Sequence, residues 1–352
     1  MISRRKLIGN RLIGEGEPCF IIAEIGSNHN GKLEQAKQLI DIAKKAGVDA
    51  VKFQTYSAEK LYSRKTPIMN YLKKEKLIRG KESTWDLIKK IEMPREWHKP
   101  LADYCKKKKV IFLSTPFDLK AVDELEEVGM VAYKIASFEI THLPLLEYVA
   151  RKEKPIILST GMADLSDIEL ALDTIYKRGN RDVILLHCVV GYPPKYEDLN
   201  LRAMQTMRQA FQIPVGFSDH TLGVTSNIAA VALGACVIEK HFTTSRKLKG
   251  PDHSFALEPN ELKNMVQAIR DTEASLGSPI KKHTFAEEEM YRLARRSLVA
   301  TCNIPKGTVI TKEMIDVKRP GYGIHPKMMN IIIGRVAKID MEEDDIITWM
   351  MI

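Results

Sequence analysis

No apolar run in this chain of 352 residues approaches the roughly 20 residues needed to cross a bilayer, so no membrane span is expected. The first residues, Met1 to Gly9, are basic but carry neither an apolar stretch nor a cleavage site, and do not read as a signal peptide. Cysteine is sparse: Cys19, Cys105, Cys188, Cys236 and Cys302 are odd in number and far apart. That spacing speaks against a disulfide frame or a zinc knuckle and predicts buried free thiols in a reducing, cytoplasmic setting. A glycine-rich dinucleotide turn is missing as well, because Gly26-Ser27-Asn28-His29-Asn30-Gly31 does not fit G-x-G-x-x-G. The net charge is +9, but its clusters, Lys106 to Lys109 and Lys73 to Lys81, have no interleaved aromatics. Nucleic acid is therefore not an expected partner. A solvated basic surface, or a positive field that draws in a small anionic substrate, is expected instead.

What is present is alternation. Short apolar runs lie at residues 19–23, 50–54, 110–113, 132–135, 155–158, 183–186, 214–217 and 236–238, and a segment of helical periodicity follows each of them. Eight such units within about 270 residues predict a (β/α)8 TIM barrel, and strands apolar on both faces agree with it. A doubly wound open sheet is the rival architecture. A polar excursion from Ser57 to Glu92 interrupts the alternation, and an insertion of that length usually has a function. Apolar content is 44%, enough for one large domain and a small one. The expected division is a barrel over 1–276, a charged linker over 277–296 and a small β-rich domain over 297–352, the last inferred from short apolar runs punctuated by Gly and Pro.

Polar residues recur where each strand ends, the rim at which barrels place their chemistry. His220 and His241 end two successive strands, and two neutral imidazoles suit a divalent cation whose other positions stay open. Each histidine read alone would be a strand cap. Lys52 and Lys134 sit inside apolar strands, where a cation needs an anionic partner. An internal salt bridge to Glu24 or Glu139 is one solution. An anionic phosphate or carboxylate ligand, also held by Thr115, Ser137 and Ser159, is the other, with Ser218 as a further donor.

Several stretches carry a family resemblance: Ile22-Ala23-Glu24-Ile25-Gly26-Ser27-Asn28-His29-Asn30-Gly31, Lys52-Phe53-Gln54, Ser114-Thr115-Pro116-Phe117-Asp118 and Ser159-Thr160-Gly161-Met162. To these are added Ser218-Asp219-His220-Thr221-Leu222-Gly223 and Glu239-Lys240-His241-Phe242-Thr243. Together, and in this order, they resemble the sialic acid synthases, which join phosphoenolpyruvate to an N-acetylated amino sugar to form a nine-carbon 2-keto acid. The resemblance implies that His220 and His241 hold Mn²⁺ or Mg²⁺. It implies that Lys52, Thr115, Lys134, Ser137, Ser159 and Ser218 hold phosphoenolpyruvate, and that Gln54, Tyr192, Asp252 and Arg319 face the sugar. Glu24 and Glu139 become the acid/base or water-positioning pair. The C-terminal segment resembles an antifreeze-like (SAF) domain, which implies a domain-swapped homodimer in which Arg319 reaches the partner's sugar.

The sugar itself stays open. Ala136 and Phe138 in Lys134-Ile135-Ala136-Ser137-Phe138-Glu139 are closer to the pseudaminic branch. Gly250-Pro251-Asp252-His253 and His187-Cys188 are closer to the sialic and legionaminic branches. An apolar Phe138 or Val190 beside the sugar would favour a deoxy, doubly acetamido substrate over N-acetylmannosamine. Two other classes fit parts of the chain: a Schiff-base aldolase using Lys134, and a non-catalytic saccharide-binding protein led by the C-terminal domain.

Overall fold

The computed structural model describes residues 5–74, 77–78 and 82–352. Met1 to Arg4 and part of the Lys73 to Lys81 cluster lie outside those residues. The chain divides into two compact units, one ending at Gly277 and the other running from Ser278 to Ile352.

The first unit begins with a hairpin that the sequence did not announce, β1 (Arg5–Ile8) antiparallel to β2 (Arg11–Gly14). Strands of four residues are too short to display a clear period. Eight parallel strands follow: β3 (Phe20–Glu24), β4 (Ala50–Thr55), β5 (Ile111–Pro116), β6 (Tyr133–Ile135), β7 (Ile156–Ser159), β8 (Val183–Cys188), β9 (Val215–Asp219) and β10 (Val237–His241). They pair in the order β5-β4-β3-β10-β9-β8-β7-β6, and the two ends of that ladder, β5 and β6, pack together to close the barrel. This is the predicted (β/α)8 architecture, with strand bounds shifted by a residue or two.

Period-two alternation of side chains sorts the core into two layers. Ile21, Ala23, Val51 and Phe53 face outward and pack against the helices. Phe20, Ile22, Ala50, Leu113, Ala132, Ile157, Ile184, Leu186 and Val237 face inward, where Ile8 and Ile13 of the hairpin join them. Continuing the inward sequence up each strand leads to Glu24, Lys52, Thr115, Lys134, Ser159, Ser218 and Glu239. The lower barrel is thus an apolar plug and its upper end is polar.

Helix termini follow their local chemistry. The helix Leu33–Ala46 buries Ala36, Leu39, Ile40 and Ala43, then stops at Gly47, whose φ of 87° is left-handed and whose N–H bonds the Ala43 and Lys44 carbonyls. Asp164 closes a capping box on Leu165–Tyr176. The excursion after β4 is more ordered than its composition suggested. It holds the helices Ala58–Leu61, Asn70–Lys74 and Thr84–Ile91, the last started by a Ser83/Asp86 capping box.

The second unit pairs β11 (Ser297–Ala300) antiparallel with β12 (Ile315–Lys318), extended by single bridges Val299–Ile346, Ile304–Met341 and Val309–Val336. Leu298, Ile304, Ile310, Ile315 and Ile347 form its core. Residues 278–296 are largely exposed, Phe285 at 96%. Four cysteines are buried free thiols, but Cys302 is exposed, against expectation, because it sits in a surface turn of this small unit.

Candidate active site

A cavity of about 630 Å³ opens at the C-terminal ends of the barrel strands, and every predicted site residue of the first unit lines it. Arg319, the remaining one, is an exposed residue of the second unit, just past β12.

At the base of the cavity four charged groups alternate in sign. The Lys52 ammonium lies 2.7 Å from Glu24 Oε2 and 3.8 Å from Glu239 Oε1, and the Lys134 ammonium lies 3.4 Å from the same Glu239 oxygen. All four side chains are at most 6% exposed. The salt-bridge expectation is therefore correct for Glu24 and wrong for Glu139. The second carboxylate is Glu239, which sequence reasoning passed over although it stands two residues before His241 on the same strand face. Burial pushes Glu239 up, but Lys134 and Lys52 more than reverse this and hold it well below the usual carboxylate range. Glu24 moves the other way, raised by burial that Lys52 only partly offsets, with Glu239 adding to the rise. Lys134 is lowered by burial and by Lys52, against the pull of Glu239.

Hydroxyl groups surround this cluster, and their bonding decides where their protons point. Thr115 Oγ1 accepts from the Lys52 ammonium at 3.2 Å, and Ser137 Oγ accepts from the Gly161 N–H at 3.0 Å. Thr115 keeps its own O–H free to donate into the cavity, whereas the Ser137 hydroxyl is also bonded to the Cys188 thiol. Ser159 Oγ is buried with no partner at all. An added Cβ on Gly161 would come within 2.8 Å of Ser137 Oγ, so only glycine lets the backbone approach this hydroxyl. Ser218 differs: its hydroxyl donates to Glu239 Oε1 at 3.1 Å and is not the free donor that was expected.

Above this level the two histidines stand with ring centroids 5.4 Å apart, flanked by Phe255 and Tyr192. His220 Nδ1 meets the Val189 carbonyl at 3.3 Å and Cys188 Sγ at 3.9 Å. An N–H donated to that carbonyl leaves the Nε2 lone pair available, the tautomer that a metal-binding imidazole adopts. His241 is held well below its usual value by burial, with His220 and Lys52 adding to the fall, and its Nδ1 is buried without a partner. Among the described residues no group of three or more His, Cys, Asp or Glu side chains forms a metal cage. The donor set fits a cation that keeps several positions open.

The remaining predicted residues ring the mouth. Gln54 donates to Glu24 Oε1 at 2.7 Å, and Asp252 accepts from both the N–H (3.0 Å) and the hydroxyl (2.8 Å) of Ser27. Glu139 sits in the 3-10 turn Ser137–Glu139 and is raised by burial to about 7. One wall was not foreseen: Leu61, Met69, Leu72, Leu87, Ile88 and Ile91 of the excursion line the cavity together with Phe138 and Val190.

Residues 39–281 match the NeuB family and residues 295–352 match the SAF domain. The chain belongs to the NeuB family. It is 42% identical to the N,N'-diacetyllegionaminic acid synthase of Legionella pneumophila, with 99% of each chain covered. It is 44% identical to the protein of that name from Campylobacter jejuni, covering 93% of this chain and 98% of the relative. A solved N-acetylneuraminic acid synthetase from Leptospira borgpetersenii, in complex with citrate, superimposes with a TM-score of 0.73 at 36% identity, covering 82% of this chain and 95% of that one.

Proposed function

We propose that this NeuB-family protein is a nonulosonic acid synthase that condenses phosphoenolpyruvate with an N-acetylated amino sugar, giving a nine-carbon 2-keto acid and inorganic phosphate by C–O cleavage. The observation that carries the reading is the base of the cavity. Two buried lysines and the hydroxyls of Thr115, Ser137 and Ser159 converge where a small, multiply charged anion would sit. Lys52 and Lys134 hold its charge throughout, preorganised by Glu24 and Glu239 rather than by water. C3 of phosphoenolpyruvate attacks the aldehyde carbon of the open-chain sugar, and the cation that develops at C2 takes up water. Glu139, poised near neutrality and facing the cavity, accepts the proton of that water. The tetrahedral adduct then collapses with loss of phosphate. His220 and His241 would hold a divalent cation, Mn²⁺ or Mg²⁺, which when bound supplies Lewis-acid polarisation of the aldehyde oxygen.

For the sugar we favour a 2,4-diacetamido-2,4,6-trideoxyhexose. The wall of the excursion, apolar apart from the Tyr62 phenol, together with Phe138 and Val190 offers methyl groups a surface and a sugar hydroxyl few partners, and the two relatives named above are legionaminic acid synthases. Pairing of two copies, with Arg319 of one offered to the sugar bound by the other, belongs to the same reading. The exposed apolar side chains of Ile280, Phe285, Met290 and Leu293 support it, because such a stretch calls for cover.

The test is phosphate release from phosphoenolpyruvate with N-acetylmannosamine and its 2,4-diacetamido-trideoxy relatives, with and without Mn²⁺ or Mg²⁺. Metal-stimulated release, fastest with a trideoxy sugar, is expected. Release with none of them would sink the reading, and EDTA-insensitive borohydride trapping of Lys134 would replace it with an aldolase.

A further inference from the structure

Directly behind the two histidines, on the helix-facing side of the same strands, lies an ion pair that the proposed chemistry does not use. Lys240 and Asp219 are register partners on β10 and β9, their charged atoms are 2.6 Å apart and their side chains are 1% and 0% exposed. Period-two alternation puts them outward, while Ser218, His220, Glu239 and His241 point inward. Asp219 takes three further hydrogen bonds, from the Thr221 N–H (2.9 Å), the Thr221 hydroxyl (3.0 Å) and the Ser226 hydroxyl (2.8 Å). The Lys240 ammonium also donates to the Thr221 carbonyl.

A fully buried ion pair is a poor source of stability, since apolar residues of similar volume usually serve as well or better. What it does supply is geometry. His220 lies between two residues, Asp219 and Thr221, that are bound to one another and to Lys240. His241 follows Lys240 directly. Ser226 extends the same network into the helix Thr225–Ala232. The end of β9, the turn after it and the end of β10 are therefore joined at the level of the imidazoles.

We propose that Lys240, Asp219, Thr221 and Ser226 form a positioning latch that sets the separation and tilt of the His220 and His241 rings, and through them the affinity for the divalent cation. The proposal rests on the reading of those histidines as the cation's ligands. None of the four latch residues lines the cavity. The latch acts through the backbone, by preventing β9 and β10 from sliding or splaying at their ends.

The experiment titrates the metal-free full-length protein with Mn²⁺, following free Mn²⁺ by electron paramagnetic resonance, with no substrate present. Lys240→Met paired with Asp219→Asn removes both charges at similar volume, and Ser226→Ala removes its two bonds, to Asp219 and Thr221, while leaving the pair. The double variant is expected to weaken Mn²⁺ binding roughly tenfold or more, within the range known for residues that orient metal ligands, and Ser226→Ala to weaken it by a smaller factor. Binding of phosphoenolpyruvate should stay within about twofold in each, since none of the substituted residues lines the cavity that would hold it. His220→Ala is the control. If it leaves Mn²⁺ affinity unchanged, the reading of the histidines has failed. If it weakens binding while Ser226→Ala and the double variant bind Mn²⁺ like wild type, the latch has failed. Should the double variant not fold, Ser226→Ala decides alone: wild-type affinity overturns the proposal, and a loss with unchanged thermal midpoint supports it, since a merely structural role would move the midpoint and spare the affinity.

Discussion

The base of the cavity and its outer wall are made of different material by different parts of the chain. The base is charged, almost wholly buried and mounted on strand ends: Glu24, Lys52, Lys134 and Glu239, with hydroxyls between them. The wall is apolar and mounted on the short helices of the excursion, through Leu61, Met69, Leu72, Leu87, Ile88 and Ile91. Strands locked into a closed barrel hold charges at fixed distances, which suits an invariant anion. Helices on a long insertion can change side chains without disturbing the barrel, which suits a substrate that varies between relatives. On the function proposed above, this is a division of labour, with the chemistry on the scaffold and the choice of sugar on the insertion.

The largest effect expected is at the base. Lys134→Met leaves Glu239 buried beside one cation instead of two and removes a donor from the anion, so kcat/KM for phosphoenolpyruvate should fall by roughly 10³-fold. Steady-state phosphate release measures it. A variant that changed only the KM for the sugar would erase the distinction between base and wall.

Next comes Glu139, which belongs to the rim between the two. Glu139→Gln should cut kcat by roughly 10²-fold while sparing phosphoenolpyruvate binding. Its raised pKa also fixes two pH dependences. As the base, it must be ionised, so kcat should rise with pH through about 7 and level off, and the variant should lose that limb. For stability the sign is opposite. The folded protein retains a proton that the unfolded chain releases near its ordinary value of 4.5, so this group's contribution declines as pH rises from about 4.5 to 7 and is level beyond. Chemical denaturation at a series of pH values would detect the missing slope in Glu139→Gln.

The wall should respond in the sugar alone. Ile88→Asn puts a polar group where methyl groups are proposed to lie, and should raise the KM for a trideoxy sugar roughly tenfold, the range for a mismatched group in an apolar pocket. The KM for phosphoenolpyruvate should not move. A parallel rise in both would mean that the excursion shapes the whole cavity.

This division also explains what could be read from the sequence. Lys52, Lys134, His220 and His241 were legible because a charged or titratable residue closing an apolar run is costly unless a site requires it, and eight repeats of one βα pattern announced the barrel. Glu239 was harder, since glutamate beside Lys240 resembles an ordinary surface pair, and only the inward phase of β10 separates the two. The apolar wall left no trace, because Leu, Met and Ile in a mixed segment look the same whether they cover a core or a ligand. The β1–β2 hairpin was hidden by its four-residue strands, and Cys302 was misjudged because exposure in a small unit depends on turns that carry no periodic signal.

The smallest effect tests the base most finely. Four hydroxyls were expected to serve one anion, and their bonding now divides them. Ser159 has no partner and so has a proton to give, whereas the Ser137 hydroxyl is bonded to Cys188 and the Ser218 proton is already given to Glu239. Ser159→Ala should raise the KM for phosphoenolpyruvate by roughly tenfold, the upper end for one neutral hydrogen bond. Ser218→Ala should change it by about threefold or less, because the bond it loses is internal and Glu239 keeps both lysines. Equal effects at Ser159 and Ser218 would mean that the Ser218 hydroxyl turns toward the anion on binding. The carboxylate would then be reshaped by its ligand, and the base would be no more rigid than the wall.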